Sequence, residues 1–291
     1  MLAVDIILSG LVLGGMYALI AMGLTLQYGV ARIMNLSYGE FLVAAAFGAY
    51  WLLTAYSLSP ILGLLIALPI AFLVNWMIYQ LVLMPLVRRA KNRDALEVDS
   101  ILATFGLLFV VQGIMLVAFG GQYYSYSYLS TPVTIIGSTV ATNRLIALLF
   151  AGTIGLSLYF ALTRTRVGTA IRAVAVDPVA AQLVAIDVRA ASAFAFALGG
   201  ALVAAGGVLV SMFLTFNAAM GVVFTMKALI IVIMGSVGNL LGALAAGLLL
   251  GLAETMVARL LDPGLTLAVN YALFLLVLLV RPTGLFGRRV S

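Results

Sequence analysis

The sequence predicts an all-α polytopic membrane protein, a transmembrane helical bundle of about nine spans within a range of eight to ten. Three observations carry this. Hydrophobic residues make up 65% of the chain and charged residues only 8%, against roughly 25% charged in soluble domains. Apolar runs of span length recur along all 291 residues. Basic residues, which set the net charge at +6, collect in a few short stretches between those runs. A helix rises ~1.5 Å per residue and the hydrocarbon core is ~30 Å thick, so about 20 apolar residues make one crossing. Spans of that length use up the chain, and residues 1–291 read as a single membrane domain.

Residues 1–5 lack the basic n-region of a secretory signal, and the apolar run after them is too long for its h-region. Residues 6–28 therefore read as a true first span. Further spans are expected at residues 41–56, 60–83, 101–119, 144–162, 191–214, 222–234, 240–257 and 265–280. The 222–234 segment is short and ends in Gly235-Ser236-Val237-Gly238. It reads as a full span closed by a tight turn or as a broken helix lining a cavity, which makes Gly235 and Gly238 pathway candidates.

Arg88, Arg89, Lys91 and Arg93 share one inter-span stretch, and Arg164, Arg166, Arg172 and Arg189 share another. Arg281, Arg288 and Arg289 follow the last span, whereas residues 57–59 and 121–142 hold no Lys or Arg. An odd number of spans, N-terminus outside and C-terminus inside, puts every basic cluster in the cytoplasm, as the positive-inside rule requires. This is a charge distribution of membrane topology, not of a nucleic-acid-binding face. The outer stretch carries Tyr123, Tyr124, Tyr126 and Tyr128. They read as interfacial anchors rather than a ligand cage, on a short hairpin or an irregular cap. Glycines crowd the first, sixth and eighth spans, where small residues let helix backbones approach closely in lipid.

Lys227 and Glu254 lie within spans, where a charge is expensive and marks a functional candidate by default. The alternatives are a structural ion pair or, for Lys227, snorkelling to the outer interface. Asn35 and Glu40 stand where the second helix begins. They read as caps, or as polar groups beside helix-end dipoles on a translocation path. The sequence has no cysteine and no histidine, which excludes disulfides, thiol nucleophiles and His-based metal or acid–base sites. It also lacks a Gly-x-x-x-x-Gly-Lys-Ser/Thr loop for ATP and any visible machinery for intramembrane hydrolysis. A non-enzymatic transport role is expected, with no cofactor on this chain.

The stretch from Thr163 to Leu183 is long for an inter-span loop and only weakly polar. Asp177 is an N-cap candidate and Pro178 fits a first helical turn. A short helix over residues 178–186 would present Ala180, Ala181 and Val184 as a low apolar surface. That surface fits a docked cytoplasmic partner or, equally, the lipid interface.

This stretch, Thr165-Arg166-Val167-Gly168-Thr169-Ala170-Ile171-Arg172-Ala173-Val174-Ala175-Val176-Asp177-Pro178, resembles the cytoplasmic coupling segment of the branched-chain amino-acid permeases of ATP-binding-cassette importers. Gly14 to Val30 is similar to that family's first span, Asn35 to Tyr50 to its second helix, and Lys227 to Gly251 with Arg281 to Gly287 to its C-terminal signatures. The chain departs from the family at Ser37-Tyr38, where Ala-His is usual, at Ala185 and Ser236, where glycine is usual, and at Leu241, where proline is usual. The resemblance implies a transmembrane permease subunit, paired with a second copy or a homologous permease. It further implies two cytoplasmic ATPases that hold ATP and Mg, and an external solute-binding protein. Arg172, Asp177, Pro178, Ala180, Ala181 and Leu183 are then the ATPase-coupling residues. Branched-chain or related hydrophobic amino acids are the implied cargo, with urea, amides or aromatic carboxylates as alternatives within the family. A self-sufficient channel or secondary transporter is the alternative from another class.

Overall fold

A computed structural model describes residues 2–90, 92–135 and 138–287. In chain order the helices are α1 (Leu2–Ala31), α2 (Tyr38–Tyr56), α3 (Pro60–Ile78), α4 (Met84–Arg89) and α5 (Arg93–Phe119). Strands β1 (Pro132–Ile135) and β2 (Ser138–Ala141) precede α6 (Thr142–Arg164), α7 (Arg166–Val176), α8 (Pro178–Leu183) and α9 (Val188–Ser211). The chain ends with α10 (Gly221–Gly235), α11 (Leu240–Leu260) and α12 (Thr266–Val280). A π-helical stretch, Tyr79–Leu83, joins α3 to α4 into one 30-residue span. Among the described residues, eight helical segments are long and apolar enough to cross a membrane. The seventh expected span, α10, has 15 residues; at ~1.5 Å each it covers ~22 Å, short of the hydrocarbon core.

Several starts follow from the sequence: the side chains of Asn92, Thr165, Asp177, Asp187 and Asn239 accept amide hydrogens from the first turns of α5, α7, α8, α9 and α11. Helix α9 is the axis of the bundle, buried along most of its length between α1, α2 and α3. Lipid gives no hydrophobic drive for helices to associate, so close packing must hold them. The glycines noted in the sequence do this by meeting one another. A Cβ on Gly251 of α11 would stand 2.2 Å from the backbone nitrogen of Gly14 in α1. Helix α5, by contrast, exposes Leu102, Phe105, Phe109, Val110 and Val117.

The chain's direction sorts its ends. Arg88, Arg89, Arg164, Arg172 and Arg281 lie at the end where α4, α6 and α12 finish and α9 begins; Lys91, Arg288 and Arg289 fall outside the described residues. At the other end β1 and β2 form an antiparallel pair, with Pro132 opposite Ala141. Three of the four tyrosines there, Tyr124, Tyr126 and Tyr128, pack inward against the core. Tyr124 pairs through its backbone with Phe216 and lies against Phe47 and Tyr50. The Tyr126 hydroxyl meets Ser211 at 2.7 Å, and burial pushes its phenol up to about 12, so it stays protonated. Tyr123 is exposed.

Candidate functional site

Two groups of buried polar residues contain the polar pathway candidates. The first begins where α1 stops. Arg32 adopts a left-handed conformation (φ 56°) that ends the helix, and its guanidinium bonds to Ala175 O of α7. The chain then turns back into the bundle. Asn35 donates to Gln27 Oε1, one turn inside the end of α1, and the Tyr38 hydroxyl donates to Ile20 O, three turns inside. Residues 32–37 are thus non-helical backbone at membrane depth, which survives only when protein satisfies its polar groups. Thr104 of α5 accepts from Leu36 N at 3.1 Å and lies 3.0 Å from Met34 O. Thr225 of α10 accepts from Gly39 N at 2.8 Å and lies 3.3 Å from Leu36 O. Gln27 donates to Phe196 O of α9. None of Gln27, Thr104 and Thr225 was singled out by sequence reasoning; a polar side chain within an apolar span was the only available signal.

The spacing Ser37-x-x-Glu40 has the form of a capping box, and the capping role expected of Glu40 is not what the structure shows. Asn35 Oδ1 accepts from both the Ser37 amide and its hydroxyl, so Asn35 shapes the helix start while Ser37 makes no cap bond. Glu40 is 0% exposed, and neither carboxyl oxygen has a hydrogen-bond partner among the described residues. It lies against Gly221, the first residue of α10: a Cβ there would stand 2.3 Å from Glu40 Cδ.

The second group joins Lys227 and Glu254 in an ion pair, one of the alternatives the sequence offers for them. Lys227 Nζ lies 2.8 and 3.0 Å from the two carboxylate oxygens of Glu254, and it also donates to the Tyr17 hydroxyl. Asn270 of α12 donates to Glu254 Oε2 at 3.2 Å. Four helices, α1, α10, α11 and α12, are tied by one cluster in which both Glu254 oxygens are paired. Gly235 and Gly238 belong to the turn between α10 and α11. A Cβ on Gly235 would meet the Gly242 backbone at 2.4 Å, and Gly238 has φ 80°.

The family model described as the branched-chain amino acid transport system / permease component matches residues 6–278. The chain belongs to that family. It is 30% identical to the high-affinity branched-chain amino acid transport system permease protein LivH of Salmonella typhimurium, over 96% of this chain and 94% of the relative. It is 29% identical to LivH of Escherichia coli K12 over the same shares. To the permease protein BraD of Pseudomonas aeruginosa it is 27% identical, over 97% of this chain and 95% of the relative. No solved structure matches. The chain is a multi-pass membrane permease, and the amphipathic segment at its basic end acquires its context from that membership.

There α7 buries Gly168, Ile171 and Val174 against the bundle and exposes Arg172 and Val176. The Asp177 carboxylate accepts from Val179 N and Ala180 N and so starts α8 at Pro178. Helix α8 ends at Leu183, three residues earlier than the sequence suggests. Its buried residue is Ala181, whereas Val179, Ala180, Leu183 and Val184 are exposed. The surface expected from the sequence exists, but Ala181 faces inward. Two of the departures from the family fall on strained backbone: Ala185 has φ 61° and Ser236 has φ 82°, conformations that glycine adopts freely.

Proposed function

We propose that this chain is the translocating permease of an ATP-driven importer for branched-chain and related hydrophobic amino acids in the bacterial cytoplasmic membrane. Two permeases, identical or homologous, stand together in lipid. Two cytoplasmic ATPases hold ATP and Mg, and an external solute-binding protein delivers the cargo. The basic end faces the cytoplasm, so the N-terminus is outside and the C-terminus inside. Asn35, Glu40, Lys227, Gly235, Gly238 and Glu254 remain the pathway candidates.

One observation carries the coupling part of this reading: the apolar surface of α7 and α8 at the basic end. Val176, Val179, Leu183 and Val184 are 64–85% exposed there, and an exposed apolar patch outside the spans marks a partner's footprint. Ala181, with Ile171 and Val174, fixes the segment to the bundle. A push on the exposed face therefore reaches the spans.

The test is reconstitution of the whole assembly with ATP inside the vesicles. Leu183→Arg should leave the permease inserted and paired while the ATPase no longer co-purifies and leucine uptake is lost. Ala181→Arg should instead reduce the amount of folded permease. Normal ATPase recovery and uptake with Leu183→Arg would defeat the docking assignment. Uptake without ATP, or of inorganic ions alone, would defeat the importer reading. Competition by urea, short amides and aromatic carboxylates decides the cargo. Reporter fusions within residues 121–142 should read external and those after Arg189 or Ser291 cytoplasmic.

A further inference from the structure

Glu40 is a fully buried carboxyl that nothing in the bundle uses. It points at the start of α10, whose first amides, those of Gly221 and Val222, have no partner inside the helix. A side chain at position 221 would stand where the carboxyl stands and would have to displace it. Beside this contact, four residues before Glu40 on one segment and one residue past Gly221 on the other, lies a mainly apolar cavity of about 130 Å³, lined among others by Leu36, Phe109, Gln112, Val222, Thr225 and Met226. Thr225 connects the two: its hydroxyl accepts from Gly39 N, next to Glu40. The cavity opens on the α5–α10 face, where Phe109 and Met226 are exposed. An apolar hole of roughly 150 Å³ holds a benzene-sized guest without water, so this one suits a branched aliphatic side chain.

An apolar amino acid makes three demands of a site, all close to one carbon atom. Its ammonium needs a carboxylate, its own carboxylate needs donors such as unpaired amides at a helix start, and its side chain needs a dry hole. The three features at the α2–α10 crossing match these demands in kind. We propose that Glu40, the first amides of α10 and the cavity beside Thr225 form the point inside the membrane where the zwitterion is received. The site is closed in this structure, with the Glu40 carboxyl seated at the helix start that the cargo's carboxylate takes when α2 and α10 part. This rests on the amino-acid cargo proposed above and says where in the chain that cargo is read.

The test uses the full assembly in vesicles, with leucine-loaded or empty binding protein. Glu40→Gln keeps the shape and removes the charge. Leucine uptake should fall about ten- to hundredfold, the range of a lost charge-assisted hydrogen bond, while the ATPase still co-purifies. Glu40→Asp should restore part of the uptake. The chain has no cysteine, so Val222→Cys in the otherwise unchanged protein places one thiol in the cavity. Leucine-loaded binding protein with ATP should slow its labelling by a small methanethiosulfonate several-fold relative to empty binding protein with ATP. Unchanged uptake in Glu40→Gln, or labelling at the same rate with loaded and empty binding protein, overturns the assignment. If the unmodified assembly takes up no amino acid, the cargo reading falls instead.

Discussion

Two carboxyl groups lie inside this bundle, and the protein treats them in opposite ways. Glu254 is held by Lys227, by Asn270 and, through Lys227, by Tyr17. Glu40 is held by nothing among the described residues, although it is the more deeply buried of the two. A buried charge pair costs desolvation energy that its Coulomb attraction returns only when every lone pair is used. In the Glu254 cluster both carboxylate oxygens are paired, and the cluster ties four helices. At Glu40 neither oxygen is paired among the described residues, and stability gives no reason for a carboxyl there. The contrast separates a fixture of the fold from a group kept for something that comes and goes.

The largest effect should come from splitting the satisfied pair. Lys227→Met leaves Glu254 buried and uncompensated, at a cost of about 3–5 kcal/mol. The variant should accumulate poorly and lose its thermal midpoint in detergent. Lys227→Met with Glu254→Leu should recover part of the loss, because two apolar groups need no partners although Tyr17 and Asn270 lose theirs. Glu40→Gln, by the same measurement, should leave the midpoint unchanged or raise it. A large drop with Glu40→Gln, or no recovery in the double variant, would erase the distinction between the two sites.

Why these sites were only half legible in the sequence is a matter of distance along the chain. Apolar length alone located every long helix, because lipid imposes it residue by residue. It also located Lys227 and Glu254, each anomalous in its own span, but their pairing depends on how α10 meets α11. Glu40 was located too, yet its place with Asn35 at the start of the second helix pointed to capping as readily as to a pathway. The groups that hold the re-entrant segment, Thr104 and Thr225, lie 68 and 189 residues from Leu36. No local pattern links threonines in three-dimensional contact at such separations. Likewise Ala181 and Val184 look alike in sequence; only packing turns one inward.

A middle-sized effect should follow from Thr225→Val, which keeps the β-branched shape. It strands the buried Gly39 amide, at a cost of about 1–3 kcal/mol, and loosens the re-entrant segment beside Glu40. Leucine uptake should fall with the thermal midpoint. Asn270→Ala, at the satisfied cluster, should cost less, about 1 kcal/mol. It removes one bond to Glu254, but it also removes Asn270 Oδ1, which has no partner of its own. Uptake should hold with Asn270→Ala once expression is matched. The pair of variants thus asks whether transport follows the unsatisfied site or merely stability.

The smallest effect lies at the other end of α10 and has the opposite sign. The junction that closes α10 brings three positive-φ residues together: Gly238 (φ 80°), Gly284 (φ 84°) and Ser236 (φ 82°). Leu285 N bonds to Met234 O, so the C-terminal tail is locked onto the same turn. Two of the three positions carry glycine, for which the conformation has no steric penalty, and the third carries a side chain that does not belong there. Ser236→Gly should relieve that strain. The gain is about 1 kcal/mol, because glycine's larger entropy in the unfolded chain offsets part of the 1–3 kcal/mol stored. The Ser236 amide and carbonyl bond to Ile233 O and Asn239 N through the backbone alone, so the substitution removes none of those contacts. A higher thermal midpoint with unchanged leucine uptake would assign the strain to the fold, in the class of the Lys227–Glu254 cluster. A higher midpoint with slower uptake would assign it to movement of α10, the same helix whose start covers Glu40, and would place both ends of that helix in the transport cycle.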